Sequence, residues 1–454
     1  MTQHQRTTAD VMYMTIVALP LLALGGMFTA SAIKWRSEKT KLQDTIEAVL
    51  GNRNAIDYTT LPRRYDEQTS DKSTATWKAV LSASEAHNSR FGGPFAWSHE
   101  DETYGDLVPP DQPWPVADVM ARYAKDAQPI LDQMQKLLGS DDTIWVPIIF
   151  QSTWTNLNEI QQTRSVSRLV HYSFLDAIHQ GDNERAIRML RLSNRLFGSH
   201  HDSVYLVDEL VHIACRSIFL DDLRHSIAAD VWTDAERKEI EPFVFNATNW
   251  DTEWRQMIES EMLSILPGML QDDLNSMGMQ DRSGVSNMPF RFAPSMMLKA
   301  FERQHGVATI RDAGTTRHRD RVEKTDRSKI DKDKQIEIDC WLQFPFLDSQ
   351  WAEDMFTPAY VAVAEAIRRM ANEERFTRTV FSLREYHSKL GEWPESLDKL
   401  ADIGLPISAI KAFDGGPFHY EIKGKDAVIY AQANKDVRYV NNGEAAEPIV
   451  MIGK

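Results

Sequence analysis

Residues 165–197 read SVSRLVHYSFLDAIHQGDNERAIRMLRLSNRLF. Val166, Leu169, Val170, Phe174, Leu175 and Ile178 recur at the three- and four-residue spacing that lines one face of an α-helix. Gly181-Asp182-Asn183 then offers a glycine to end that helix and side chains to cap the next one. The stretch is therefore an α-hairpin, with helices over Ser165 to Gln180 and Glu184 to Phe197. Upstream, Val119, Tyr123, Ile130, Met134, Leu137 and Leu138 suit an amphipathic helix that accommodates Pro129. Downstream, Ser203 to Ala228 forms a longer helix, and Thr233-Asp234-Ala235-Glu236 has the form of a capping box opening another. The layout could be mistaken for a tetratricopeptide array, but no second copy recurs at a ~34-residue period, so a helical bundle or irregular α-solenoid is preferred.

The flanks differ. Leu61-Pro62, Gly92-Gly93-Pro94, Pro109-Pro110 and Gln112-Pro113-Trp114-Pro115 break the chain, leaving Thr76 to Asn88 as a regular stretch. Trp77, Trp97 and Trp114 mark this zone as one that packs against the body. Residues 267–300 are rich in Met, Pro and Gly, and Arg311 to Asp339 carries both charge signs with few large apolar residues, the composition of a solvated loop. From Ala359 to Leu390, Val363, Ile367, Met370, Phe376, Val380, Leu383 and Leu390 keep helical spacing until Gly391 stops them. A short helix over Trp393 to Leu400 follows. Phe418 to Ile422 and Val428 to Ala431 then form a hairpin, with further strands at Val437 to Val440 and Ile449 to Ile452. The expected fold is mainly α, with an N-terminal transmembrane helix and a small C-terminal α+β unit. Its segments are a tail over 1–10, a span over 11–33, a stalk and irregular segment over 34–115, a helical domain over 116–300, a charged loop over 301–340, and the long helix with its α+β unit over 341–454.

Val11 to Ile33 is an unbroken uncharged run between Asp10 and Lys34. At ~1.5 Å per residue it covers the ~30 Å hydrocarbon core of a bilayer, which makes the bilayer the first expected partner. Tyr13, Lys34, Trp35 and Arg36 stand where interfacial anchors belong. Ala30-Ser31-Ala32 has the small-x-small form of a cleavage site, but the apolar run exceeds the ~7–15 residues of a signal core, so an uncleaved anchor is expected. Lys34, Arg36, Lys39 and Lys41 follow the run and only Arg6 precedes it, so the positive-inside rule taken literally puts the soluble region in the cytoplasm. The 454 residues are 26% charged with a formal net charge of −15, which argues against a nucleic-acid partner. Cys215 and Cys340 lie far apart in apolar company and read as buried thiols.

Chemistry-bearing residues are densest at His200, His201, Asp202, Glu209, His212, Asp221, Asp222 and His225. Glu209 and His212 make one Glu-x-x-His unit and His201 stands nearby, but a di-iron bundle needs two such units plus two more glutamates. Solvated or capping side chains are the plainer reading of this group. His171 and His179, two helical turns apart, read as surface groups. Paired carboxylates such as Asp221-Asp222 point ~100° apart on a helix and suit solvation. Glu253, Arg255, Glu259 and Glu261 around Trp250 and Trp254 read as a charged helix face. There is no Gly-x-Ser-x-Gly elbow, phosphate-cradling glycine loop or His-Glu-x-x-His motif, and no cofactor is expected.

In the tail from Glu385 to Asp436, Tyr386, Gly391, Trp393, Pro394, Leu397, Leu400, Asp414, Gly415, Pro417, Tyr420 and Tyr430 fall in an aromatic, Gly-aromatic-Pro, Leu-rich turn and Asp-Gly-x-Pro hairpin order. This resembles the carboxyl-terminal unit of type II secretion major pseudopilins. The prepilin processing motif is missing at Thr8-Ala9-Asp10-Val11, so the chain is not itself a pilin. Asn434-Lys435-Asp436 replaces the closing calcium-type turn, and no calcium site is carried over. The whole layout is similar to planctomycete-type membrane-anchored proteins with one N-terminal span and a Gly-Asp-x-x-x-Ala hairpin, matched here by Gly181, Asp182 and Ala186. The resemblance implies an extracytoplasmic soluble region at the inner membrane and no known activity. The expected function is a non-enzymatic interaction or structural role in the cell envelope with a protein partner there. The alternatives are an envelope hydrolase or metal-dependent enzyme built on His200 to His225, and a secretion-system accessory.

Overall fold

The computed structural model describes residues 71–91, 107–138, 158–198, 206–246, 248–254, 257–258, 350–404, 418–430 and 449–453, with single helical positions at 37, 40 and 44. Among the described residues seven helices carry the fold, with a further helical stretch at 250–254 and 257–258. They are α1 (Asp71–Arg90), α2 (Ala117–Leu138), α3 (Asn158–His179), α4 (Asn183–Gly198), α5 (Leu206–Ala228), α6 (Asp234–Phe245) and α7 (Gln350–Leu390). A 3-10 turn over Leu397–Ile403 leads to an antiparallel sheet of β1 (His419–Lys423), β2 (Asp426–Tyr430) and β3 (Ile449–Met451), in the order β1-β2-β3. The span Val11 to Ile33 and its flank at Tyr13, Lys34, Trp35 and Arg36 lie outside the described residues, as do Val437 to Val440. Among the described residues no helix is long and apolar enough to cross a membrane.

The α3–α4 hairpin forms as its sequence dictates. Gly181 takes φ +69, its N–H bonds to Ile178 O at 3.0 Å, and the Asp182 N–H reaches back to Ala177 O at 2.9 Å, which together close the last turn of α3. Asp182 then accepts from the Arg185 N–H at 3.0 Å and opens α4. The Thr233–Glu236 capping box at α6 is present in both directions. Gly391 ends α7 at φ +77 with its N–H on His387 O. In the hairpin, Lys423 faces Asp426 across the two-residue loop, and Gly424 takes the positive φ that matches the strand twist.

Helix α3 sits at the centre, packed by α1, α2, α4 and α5, while α7 lies along α5 and touches α6. One apolar core runs from Trp77 on α1 through Phe174, Phe219, Trp254 and Val380 to Met451 on β3. Each such side chain contributes about 1.5–3 kcal/mol on burial. Trp77 and Trp114 are buried in it, as the irregular N-terminal zone predicts, while Trp97 lies outside the described residues.

Several boundaries and faces need correction. Helix α3 starts at Asn158, not Ser165, because the apolar period continues upstream through the buried Ile160 and Thr163. On α2 the core face is Met120, Tyr123, Ala127, Leu131 and Met134, with Val119 and Ile130 only half-buried. The small Ala124 and Ala127 are buried on this face, which a count of large apolar residues overlooks. The short helix after Trp393 is a single 3-10 stretch closed by Gly404 in the left-handed region.

Candidate functional site

Polar chemistry concentrates along the seam between α7 and the α5–α6 pair. Residue numbers rise together along α5 and α7, where Arg216 Nη2 meets Glu374 Oε1 at 3.0 Å and Arg384 Nε meets Ile227 O at 3.2 Å, with Arg224 pairing with Glu373 between them. They run oppositely along α6 and α7, where Arg237 Nε donates to Glu385 Oε1 at 2.9 Å and Arg378 Nε to Val244 O at 3.2 Å. These guanidiniums are buried or nearly so, and their long apolar stems pack in the core while their forks reach acceptors on another element.

At the end of this seam lies a cleft of about 380 Å³ between the α5–α6 turn and the last turns of α7. Asp230 occupies the turn with φ +54, and the Val231 N–H closes back on Ser226 O at 3.4 Å. That left-handed residue is usually glycine, and an aspartate there places its carboxylate 3.6 Å from Arg237 and 3.7 Å from Arg384. Arg384 is 2% exposed and donates to three main-chain carbonyls: Ile227 at 3.2 Å, Ala228 at 2.7 Å and Ile452 at 2.9 Å. It thus covers the negative end of α5 and ties the residue after β3 to it. Burial lowers the Arg384 pKa, and Asp230 opposes that shift. Arg237 donates to Trp232 O at 2.8 Å and Ser388 Oγ at 2.7 Å and also bonds Asp234.

His387 and Ser388 stand side by side in this cleft without forming a nucleophile–base pair. The Ser388 hydroxyl donates to Asp234 Oδ1 at 3.0 Å, and the His387 ring stacks on Trp393 at 4.1 Å. Burial and the neighbouring Arg384 lower the His387 pKa. Trp393 in turn donates to Lys425 O at 2.6 Å, and the Tyr420 hydroxyl donates to Pro394 O at 2.8 Å. Gly391, Trp393, Pro394 and Tyr420 of the tail motif therefore meet at one joint, while Asp414, Gly415 and Pro417 lie outside the described residues.

The histidines singled out by sequence part company. Glu209 and His212 do face each other, at 3.5 Å on one side of α5, and both are buried, contrary to the solvated reading. Burial lowers the His212 pKa, but bonding to Glu209 and the charges of Glu209 and Glu253 raise it overall. His201 lies outside the described residues. His171 sits elsewhere, with Nδ1 2.7 Å from Asp222 Oδ1 between α3 and α5. Burial lowers its pKa, yet the Asp222 and Asp221 carboxylates raise it overall. Among the described residues no group of three or more His, Cys, Asp or Glu is placed to hold a metal ion.

Three surface expectations fail for one reason: a partner helix covers the residue. His171 pairs with the buried Asp222 and is no surface group. Asp221 and Asp222 do diverge, but only Asp221, bonded to Arg224, faces solvent. Glu253 is buried, not part of a charged face, while Arg255, Glu259 and Glu261 lie outside the described residues. The pairings that join Arg216 to Glu374, Arg237 to Glu385 and Arg384 to the end of α5 carry no local sequence signal, because those partners sit more than a hundred positions away. Comparison with known protein families, with curated proteins and with solved structures finds no match.

Proposed function

We propose that this chain is a non-enzymatic, single-pass, membrane-anchored interaction or structural protein of the cell envelope, with residues 11–33 in the inner membrane and the soluble region outside the cytoplasm. The observation that carries the non-enzymatic part is the use made of its buried charges. Arg216, Arg224, Arg237 and Arg384 are committed to joining α5, α6, α7 and β3, and the cleft's serine bonds a carboxylate and an arginine where a nucleophile would bond a base. The anchor rests on the uncharged run Val11 to Ile33. A secretion-system accessory role is the second reading, favoured by the meeting of Gly391, Trp393, Pro394 and Tyr420 at one joint.

The test is protease accessibility in cells whose outer layer is permeabilised, following an N-terminally tagged full-length chain. Digestion to a short tagged stub that resists carbonate extraction is the expected result. Full protection until the inner membrane is lysed would reverse the topology. Release of the intact chain by carbonate would remove the anchor.

A further inference from the structure

The sheet of the tail has two unlike edges. Its order is β1-β2-β3, and just beyond β3 the Ile452 N–H bonds to Ala228 O at 3.3 Å, so the end of α5 closes that side. Along β1, among the described residues, no backbone hydrogen bond is made on the side away from β2. The turn fixes which groups line this open edge. In a two-residue hairpin the closing pair, here Lys423 and Asp426, exchanges backbone hydrogen bonds, and the pattern then alternates along the strand. Lys423, Glu421 and His419 therefore turn their backbone groups to β2, while Ile422 and Tyr420 turn theirs outward. Side chains alternate between faces as well. Glu421 and Lys423 share the face away from the core, 2.6 Å apart and both exposed, while Ile422 lies on the core-side face and is still 45% exposed. An open edge with an exposed isoleucine is a template for another strand, and charges on that edge block pairing unless the incoming strand answers them.

We propose that β1 pairs with β1 of a second copy of this chain, antiparallel about a two-fold axis at Ile422, joining the two sheets edge to edge. Two-fold pairing brings outward-turned residues opposite each other, and charge then selects among the registers. Centred on Glu421 or on Lys423, the pairing sets a charge against itself. Centred on Tyr420, it sets Glu421 against His419 and leaves Lys423 beyond the strand. Centred on Ile422, it sets Glu421 against the copy's Lys423 twice, Ile422 against its own counterpart and Tyr420 against the small Gly424. This register answers both charges. It also places them at non-hydrogen-bonded sites, where facing side chains come closest. A five-residue edge is smaller than a standard interface, so the dimer is weak. The pairing needs neither the membrane anchor nor a particular topology, and it stands or falls separately from the envelope role.

The test is disulfide crosslinking of the full-length chain in detergent under mild oxidation. Ile422→Cys is compared with the unsubstituted chain, which reports the native thiols, and with Val450→Cys at an exposed position on β3. The expected result is a covalent dimer in Ile422→Cys alone, because facing residues at a hydrogen-bonded site stand within disulfide reach. Within the Ile422→Cys chain, Glu421→Lys and Lys423→Glu each slow crosslinking at least about fivefold, since each sets two like pairs across the axis, and the double substitution restores it. Mixing the two single-charge variants under tags of different size gives the mixed dimer in preference to either pure one, which also shows that both fold. Absence of crosslinking in Ile422→Cys, as when another segment or another protein holds the edge, overturns the proposal. Equal crosslinking in Val450→Cys or in either single-charge variant, or a double substitution or mixture that fails to restore it, does the same.

Discussion

Replacing Arg384 with methionine keeps most of the side-chain volume and removes every polar contact the arginine makes. Three charge-assisted hydrogen bonds disappear, to Ile227 O, Ala228 O and Ile452 O, together with the cation held 5.2 Å above the Trp393 ring. Two of those carbonyls keep another donor, since Ile227 O also accepts from the Asp230 N–H and Ala228 O from the Ile452 N–H. The desolvation cost of burying a guanidinium is also relieved. Hydrogen bonds from charged donors contribute about 1.5–3 kcal/mol each in isolation, so with these offsets the net loss is on the order of 3 kcal/mol. That loss falls unevenly. Native-state hydrogen exchange at residues 449–453 is expected to speed up by about a hundredfold, while amides in the α3–α4 hairpin stay near their wild-type rates. Arg384→Lys, a point charge without a fork, falls between the two. Unchanged exchange at 449–453 together with an unchanged denaturation midpoint would refute the reasoning and leave Arg384 as a bystander in the cleft.

Gly181→Ala is expected to cost about 1 kcal/mol from the left-handed backbone alone, because the new Cβ meets Pro110 Cγ at an ordinary 3.8 Å; a loss above about 3 kcal/mol in urea would contradict this. His171 has a folded pKa raised above 6.5, so its contribution is complete below that pH and fades as the pH climbs through the folded value. Burial raises the Asp222 pKa and His171 lowers it, for a net upward shift that acts in the same direction. The stability difference between wild type and His171→Gln should therefore shrink from pH 6 towards pH 9, and a difference that grows would contradict the pairing. The Cys215 thiol is pushed up to about 12 by burial, so its peptide should escape maleimide labelling at pH 8 until denaturant is added; rapid native labelling would place it at the surface.

Periodicity and punctuation carried the reading where interactions are local. The α3–α4 hairpin, the Thr233 capping box, the Gly391 stop and the β1–β2 hairpin each depend on residues a few positions apart, and each is present. Charged side chains were harder to place, because an acidic or basic residue on a helix looks solvated until the helix that covers it is known. Asp222, Glu209 and Glu253 were read as outward and lie inward. Arg384 sits in a long helix rich in charged residues, where nothing in its neighbours announces that its acceptors are the end of α5 and the residue after β3.

Arg216 and Glu374 are separated by 158 positions, and this sets a clock on synthesis. A ribosome adds ~5–20 residues per second, so α5 is complete roughly 10–30 s before the helix that covers it leaves the exit tunnel. Throughout that interval the side of α5 that packs on α7 in the finished fold is without that helix. Chains truncated before α7 are permanently in that state. Such chains are expected to bind holding chaperones through a surface that α7 covers in the finished protein.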